Sequence, residues 1–168
     1  MGSEMCIRDS NISDVEETGK DFEENAILKA KNAFTKTNIS SVGDDSGLIV
    51  PAINNEPGLY SARYAGLNAT DSDNRNKLIS KLKDKKLEST YAYFFCCIVA
   101  VGIKGQNEII VCSGKVEGEV RTIERGEKGF GYDPMFYPKG YSESFAELNS
   151  LEKNKISHRG QALKKLID

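Results

Sequence analysis

The sequence predicts an α/β or α+β protein, in which helices pack on a partly antiparallel sheet. Segments with helical spacing of apolar residues alternate with runs of β-branched and aromatic residues that are typical of strands. The chain has 168 residues, which is enough for one domain with a sizeable core. Its 39% hydrophobic and 29% charged residues are ordinary for a globular protein. No repeat or linker-like segment interrupts residues 11–168, so we expect a single domain there.

The first elements are predicted to be a capped helix and a strand. Asp21 can cap a helix over residues 21–37, because Glu24 follows it at the capping-box distance. Residues 39–42 are typical of a short strand that leads into residues 43–53, GDDSGLIVPAI. The two aspartates are therefore expected at the end of a strand. Turn-forming asparagine, proline and glycine residues follow.

A second helix and a hairpin are predicted next. Thr70 can cap a helix up to about Lys86, and the sparse apolar face of this helix predicts a place on the outside. Residues 90–103 have the near-continuous apolar character of a strand that is buried on both faces. A turn at 104–107 would join them to a second strand at 108–120.

The last third of the chain is predicted to hold a long loop, a short strand and two helices. Residues 121–138 contain the loop and the strand. A polar helix is expected at roughly 145–154, and Ser157 can cap a final helix.

Composition excludes several functional classes. The net charge of −2 lacks the basic excess of nucleic-acid binders, so we expect no nucleic-acid partner. Four cysteines without Cys-x-x-Cys spacing and a single histidine make a zinc site unfavourable. No apolar stretch has membrane-spanning length, and no signal-peptide core is visible, so we expect a cytoplasmic protein with reduced thiols and no membrane partner.

The first ten residues, MGSEMCIRDS, have no periodicity, helix cap or apolar face. The string MCIRDS resembles a translated sequencing adapter, so residues 1–10 are interpreted as a non-native segment, with an ordinary disordered tail as the alternative. They are excluded from the fold prediction.

The segment GDDSGL is a candidate metal site. Asp45 with Glu24 could hold Mg²⁺, which prefers one or two carboxylates and completes its shell with water and phosphate. A further carboxylate could orient an attacking water. The alternative is an Asp-Ser turn with exposed acids, and this stretch alone favours that alternative.

The segment GFGYDP is a candidate base-binding loop. Its glycines would let the backbone project the ring of Phe130 to one side, where it could stack on a purine. Asp133 could accept hydrogen bonds from a base or a sugar. It is equally consistent with this stretch that Phe130 fills the core beneath a tight turn.

The segment EKNKISHRG is a candidate anion site. Lys153, Lys155, His158 and Arg159 crowd around the start of the last helix, and cations at a helix N-terminus favour anions. Arginine and histidine donors can also pair with a base carbonyl. The alternative is a solvated basic surface.

In order and spacing, the segments ETGKDFEENAILKAKNA, DDSGLIVPAINNEPGLYSARYAG, GFGYDPMF and EKNKISHRGQALKKL resemble the inosine triphosphate pyrophosphatase family, the RdgB-type non-standard purine NTP pyrophosphatases. The resemblance covers roughly residues 14–168. It implies an elongated α/β fold, with a mixed sheet flanked by helices and two lobes around a central nucleotide cleft. It also implies a cytoplasmic homodimer that hydrolyses ITP, dITP and XTP to the monophosphate and pyrophosphate with Mg²⁺.

The resemblance also implies roles for individual residues. Glu24 and Asp45 match metal-binding positions, and Asp45 also matches the proton acceptor. Asp44 is expected to support the metal, and Lys36 is a weaker candidate for a phosphate contact. The positions that match substrate contacts are Ser46, Phe130, Gly131, Tyr132, Asp133, Lys153, His158 and Arg159.

One departure from the family pattern is clear. Family members begin with a strand that ends in a Ser/Thr-x-Asn-x-x-Lys loop, and this chain has the adapter-like string instead. The first strand and helix of the family are therefore expected to be missing, and this would remove a phosphate-binding lysine. Two alternatives stay open: a truncated, non-catalytic nucleotide-binding module, or a Maf-like nucleotide pyrophosphatase.

Overall fold

The computed structural model describes residues 15–103 and 108–168. The segment 1–10 and the predicted turn at 104–107 lie outside the described residues. Helices and strands alternate along the rest of the chain, and the predicted α/β class is confirmed. In this part of the chain, no helix combines the length and the apolar character that crossing a membrane requires.

Four α-helices occur in the described part of the chain, and the first two begin at the predicted caps. The side chain of Asp21 accepts a hydrogen bond from the backbone N–H of Glu24. Thr70 and Asp73 form a reciprocal capping box. The helices are α1 (Phe22–Thr37), α2 (Asp71–Asp84), α3 (Ser150–Ile156) and α4 (His158–Ile167). Short 3₁₀ turns lie at Pro51–Ile53, Gly58–Arg63 and Asp133–Met135.

The strands form one five-stranded sheet with the order β2-β1-β3-β4-β5. The strands are β1 (Ser41–Val50), β2 (Glu56–Pro57), β3 (Ser89–Val101), β4 (Ile109–Arg121) and β5 (Phe136–Pro138). β1 and β2 are antiparallel, as are β4 and β5. As predicted, β3 and β4 are adjacent long strands.

The structure corrects one prediction about helices and bears out another. Residues 145–148 are not helical, because Phe145 is buried and its N–H donates to the carbonyl of Phe136. Helix α3 begins later, where the side chain of Asn149 accepts from the N–H of Glu152. Helix α2 lies on the outside, as expected: its apolar face is sparse, with Leu78 and Leu82 fully buried and Ile79 partly buried, and most of its other residues are exposed.

The described chain divides into two compact units. The first contains residues 15–46 with α1, residues 96–114 with their gap, and residues 159–168, and its apolar cluster is built from Cys96, Ile98 and Ala162. The second contains residues 47–95 and 115–158, including α2 and α3. Its larger cluster includes Leu48, Leu78, Phe94, Phe136 and Phe145. The expected nucleotide cleft stays a prediction.

Candidate active site

The acidic pair lies in the middle of strand β1, not at a strand end as predicted. Strand β1 runs from Ser41 through the aspartates to Val50, with β3 beside it on one side and β2 pairing on the other at Ile49 and Val50. Asp45 is 8% exposed, so the alternative of an exposed acidic turn is wrong for this residue. Adjacent strand side chains point to opposite faces, which gives Asp44 and Asp45 different surroundings.

Asp45 is held by two side chains of helix α1. Lys29 Nζ lies 2.9 Å from its Oδ1, and Asn25 Nδ2 donates to its Oδ2 at 3.1 Å. Burial raises the pKa of Asp45 above its ordinary value, and Lys29 and Asn25 oppose that rise. The carboxylate is therefore fixed in position and is more basic than a carboxylate in water.

Lys29 connects a second carboxylate to this group. Its Nζ lies 2.7 Å from Glu17 Oε1 and also donates to the carbonyl of Asp44 at 3.0 Å. Burial tends to lower the pKa of Lys29, but the pairs with Asp45 and Glu17 outweigh it and raise the pKa. Two carboxylates thus converge on one cationic position.

The sequence analysis missed Asn25, Lys29 and Glu17. A signal for the first two was present, because residues four apart on a helix share a face and α1 packs on β1 through its small residues. No local pattern points to Glu17, since it precedes the helix and reaches Lys29 only in the folded chain.

The structure does not place Glu24 with Asp45. Glu24 is exposed, and its Oε2 accepts from the backbone N–H of Lys20 at 2.8 Å, as expected of a residue that helps to cap a helix. The second carboxylate that the structure links to Asp45, through Lys29, is Glu17. Over residues 15–103 and 108–168, no three His, Cys, Asp or Glu side chains are grouped as metal ligands.

Arg159 contacts the two residues of β1 that flank Asp45. Its Nε donates to Asp44 Oδ2 at 2.8 Å, and its Nη2 donates to Ser46 Oγ at 3.0 Å. Arg159 lies in the first turn of α4, the helix that follows Ser157, as the SHRG segment predicted. The structure thus brings Arg159 to Asp44 and Ser46, which lie more than a hundred positions before it in the sequence.

In the second unit, the glycine-rich loop exposes its ring. Phe130 is 45% exposed, so the alternative in which it fills the core is wrong. Gly129 has φ 81°, and a Cβ at this position would lie 2.1 Å from Asp133 Oδ2, so both conformation and space require glycine. The carboxylate of Asp133 accepts from the N–H of Phe130 at 2.8 Å.

Lys153 lies beside this ring. Its Nζ is 2.5 Å from Asp133 Oδ2 and 4.9 Å from the centre of the Phe130 ring. Burial raises the pKa of Asp133, and Lys153 and the Phe130 N–H oppose the rise. An aromatic surface, a cation and a carboxylate therefore meet at this loop. The sequence predicted the ring and the carboxylate here, but it assigned Lys153 to the anion site.

Three further residues that were predicted to contact the nucleotide lie in different environments from one another. His158 is 8% exposed and stacks on Phe94, with ring centres 4.8 Å apart, so it is not part of a solvated basic surface. Tyr132 is buried and donates from its hydroxyl to the carbonyl of Ser61. Lys36 lies exposed in the last turn of α1.

Comparison with known proteins gives consistent matches over nearly the whole chain. A model of the Ham1 family matches residues 3–168. The dITP/XTP pyrophosphatase of Bacillus anthracis is 47% identical over 156 residues, covering 93% of this chain and 77% of that protein. The protein of the same name from Legionella pneumophila strain Lens is 46% identical over 164 residues, covering 96% and 84%.

Two solved structures share the fold. A HAM1 protein from Coxiella burnetii aligns with a TM-score of 0.87 and 43% identity, covering 95% of this chain and 81% of that one. The Staphylococcus aureus Ham1 protein aligns with a TM-score of 0.84 and 44% identity, covering 98% and 81%.

Proposed function

Because this chain belongs to the Ham1 family, we propose that it hydrolyses the non-standard purine nucleotides dITP, ITP and XTP to monophosphate and pyrophosphate. The bacterial relatives described above carry the name dITP/XTP pyrophosphatase. The structural observation that carries the proposal is the buried carboxylate of Asp45, which Lys29 and Asn25 hold in place. The role that follows is removal of such nucleotides from the precursor pool.

Asp45 supplies the base in this reaction. A water oxygen forms a bond to the α-phosphorus, the bond from that phosphorus to the bridging oxygen breaks, and pyrophosphate leaves. The carboxylate of Asp45 accepts the proton of the water, and its raised pKa suits that role. Lys29 keeps the carboxylate in place in the nucleotide-free protein, and it would turn from the carboxylates to the phosphate oxygens when metal and nucleotide bind.

The oxygen donors around Lys29 fit a magnesium ion. Asp45 and Glu17 converge on one cationic position, and Mg²⁺ binds through one or two carboxylates with water and substrate phosphate as its other ligands. We therefore propose that these two residues hold Mg²⁺, with Asp44 beside them. When bound, the ion neutralises charge on the phosphate oxygens.

Two substitutions distinguish Glu17 from the carboxylate assigned by sequence. Glu17→Gln should raise the magnesium concentration needed for half-maximal activity by about tenfold, typical of a lost metal-site contact. Glu24→Gln should have a much smaller effect, because Glu24 caps α1. The exposed Glu23→Gln serves as the matched control. A large effect of Glu24→Gln with none for Glu17→Gln would restore the sequence-based assignment.

The purine base is recognised by the loop that carries Phe130 and by the residues beside it. The exposed ring of Phe130 stacks on the purine, with Gly131, Tyr132 and Asp133 completing the loop and Lys153 beside it. His158 and Arg159 supply hydrogen-bond donors. A 6-oxo purine offers these donors an acceptor where adenine offers an amino group, so adenine leaves them unpaired.

Assembly and location are inferred from the same family. We propose a homodimer in the cytoplasm, with residues 11–168 acting as one catalytic domain. Reduced thiols support the compartment: Cys96 and Cys97 are free and buried, and burial raises the pKa of Cys96 to about 12, which makes it unreactive. Light scattering of the purified chain would test the dimer.

Pyrophosphate release from a panel of triphosphates tests the function. With magnesium present, dITP, ITP and XTP should react with kcat/KM about 10⁴ times that of dATP, as expected of sites that reject a base by unpaired donors. Preference for modified pyrimidines would favour the Maf-like alternative. If calorimetry shows dITP binding without product, the chain is a non-catalytic binding module.

A further inference from the structure

Helix α2 holds the backbone of the loop that carries Phe130. The N–H of Gly131 donates to Asp71 Oδ2 at 2.7 Å, and Arg75 Nη1 donates to the carbonyl of Gly131 at 2.9 Å. Asp71 and Arg75 are four residues apart in the first turns of α2, so their side chains share one face of the helix. Side chains of one helix are therefore hydrogen-bonded to both the N–H and the carbonyl of Gly131.

The loop needs such an external constraint. Gly131 has φ 59°, and a Cβ added to it would meet no atom within 4 Å. The position therefore requires glycine for its backbone conformation and not for space, and glycine is the residue with the most conformational freedom. Within the loop, the N–H of Asp133 donates to the carbonyl of Phe130 at 3.2 Å, and the two backbone polar groups of Gly131 itself are those that α2 contacts.

The arginine of the pair is itself oriented. Its Nε lies 3.1 Å from Glu124 Oε2, and the Arg75 side chain is only 16% exposed. The backbone N–H of Phe130 itself donates to the carboxylate of Asp133 at 2.8 Å. The backbone is thus tied before and after Phe130, while the ring itself remains 45% exposed.

We propose that Asp71 and Arg75 are positioning residues that fix the direction of the Phe130 ring for stacking on the purine. This inference rests on the proposed function of the loop. The two residues act through the loop backbone and touch no reacting atom. Because a ring held in its binding orientation loses less freedom when the nucleotide arrives, their contribution belongs to nucleotide binding and not to bond cleavage.

Steady-state kinetics with dITP test whether Asp71 and Arg75 affect nucleotide binding and not bond cleavage. Asp71→Ala should raise KM about tenfold and change kcat by less than about threefold, since it removes one hydrogen bond to a charged acceptor. Asp71→Asn should recover most of the loss, because its amide oxygen still accepts the Gly131 N–H. Asp84→Ala, the same change at the exposed far end of α2, is the matched control and should leave both constants unchanged.

A double-mutant cycle shows whether the effect passes through the ring. In a Phe130→Ala background, Asp71→Ala should raise KM no further, because no ring remains to be oriented. If Asp71→Ala raises KM by the same factor with and without the ring, the two residues do not act through Phe130 and the proposal is overturned.

A measurement without turnover separates this proposal from the proposed function. Amide hydrogen exchange of Gly131 in the nucleotide-free protein should be faster in Asp71→Ala than in wild type or Asp84→Ala, at matched thermal stability. Unchanged exchange at Gly131 would overturn the positioning role, whether or not the protein turns over dITP. Absence of turnover in the wild-type protein would instead contradict the proposed function and leave the exchange result to decide the role of α2.

Discussion

At the residue scale, the behaviour of the site depends on buried carboxylates that keep a cationic neighbour. Asp45 has Lys29, and Asp133 has Lys153. An unpaired charge would be costly at such positions, so each lysine compensates for the burial of its carboxylate. Sequence alone identified both aspartates and Lys153 but missed Lys29, because a lysine within a helix is usually a solvent-exposed residue.

Replacing Asp45 by asparagine tests its role as proton acceptor. Asp45→Asn should lower kcat for dITP by roughly 10²–10⁴-fold, the usual contribution of general base catalysis. The fold should persist, because an amide has the same shape and leaves Lys29 paired with Glu17. Thermal unfolding of the variant serves as the control, and near-normal turnover would rule out this role.

The Lys153–Asp133 pair gives a pH-dependent prediction for stability. Lys153→Met should lower the free energy of unfolding at neutral pH by about 3 kcal/mol, because it leaves a buried charge without a partner. The pKa of Asp133 is already raised by burial, and losing Lys153 raises it further. The protonated carboxyl needs no counter-charge, so the deficit should shrink as pH falls through that raised pKa.

Urea unfolding of wild type and Lys153→Met across pH 4–8 would measure this difference. If the difference in free energy of unfolding between the two proteins stays constant or grows towards acid pH, Lys153 does not stabilise the ionised Asp133.

At the scale of elements, sequence reasoning succeeded where the signals are local. The caps at Asp21 and Thr70 place the starts of α1 and α2 correctly, because capping depends on side chains within three residues. Prediction from sequence failed where contacts between residues distant in sequence determine the secondary structure. Residues 145–148 have a helical pattern, but their apolar side chains are buried in the core cluster and helix α3 begins after them.

The packing of α1 on β1 sets the distance between Lys29 and Asp45. A Cβ at Gly43 would lie 2.5 Å from the carbonyl oxygen of Ala26 and 2.6 Å from the nitrogen of Ala30, both in the helix backbone. Gly43→Ala therefore has to push the helix away from the strand, at a cost of about 1–3 kcal/mol. We expect lower stability together with a loss of kcat, because Lys29 and Asn25 move away from Asp45.

The exposed neighbour Val42→Ala is the control for this substitution, and denaturant unfolding with dITP turnover measures both effects. Full activity and stability in Gly43→Ala would show that the contact between α1 and β1 does not set the site.

At the scale of the whole molecule, the family and the α/β class inferred from four short segments are confirmed. These segments could be recognised because each combines residue types that chemistry requires at fixed spacing. The positions of side chains that meet only after folding could not be predicted, and Glu17 with Lys29 and Gly131 with Asp71 are the clearest examples. The sequence indicated a candidate base-binding loop, whereas only the structure shows which residues hold its backbone.

In the proposed reaction, water attacks the α-phosphorus of a non-standard purine triphosphate. The most direct test is to let the protein hydrolyse dITP in ¹⁸O-labelled water with magnesium and to analyse both products by mass spectrometry. The account predicts one ¹⁸O in the deoxyinosine monophosphate and an unlabelled pyrophosphate. Label in the pyrophosphate, or release of orthophosphate in its place, would contradict it.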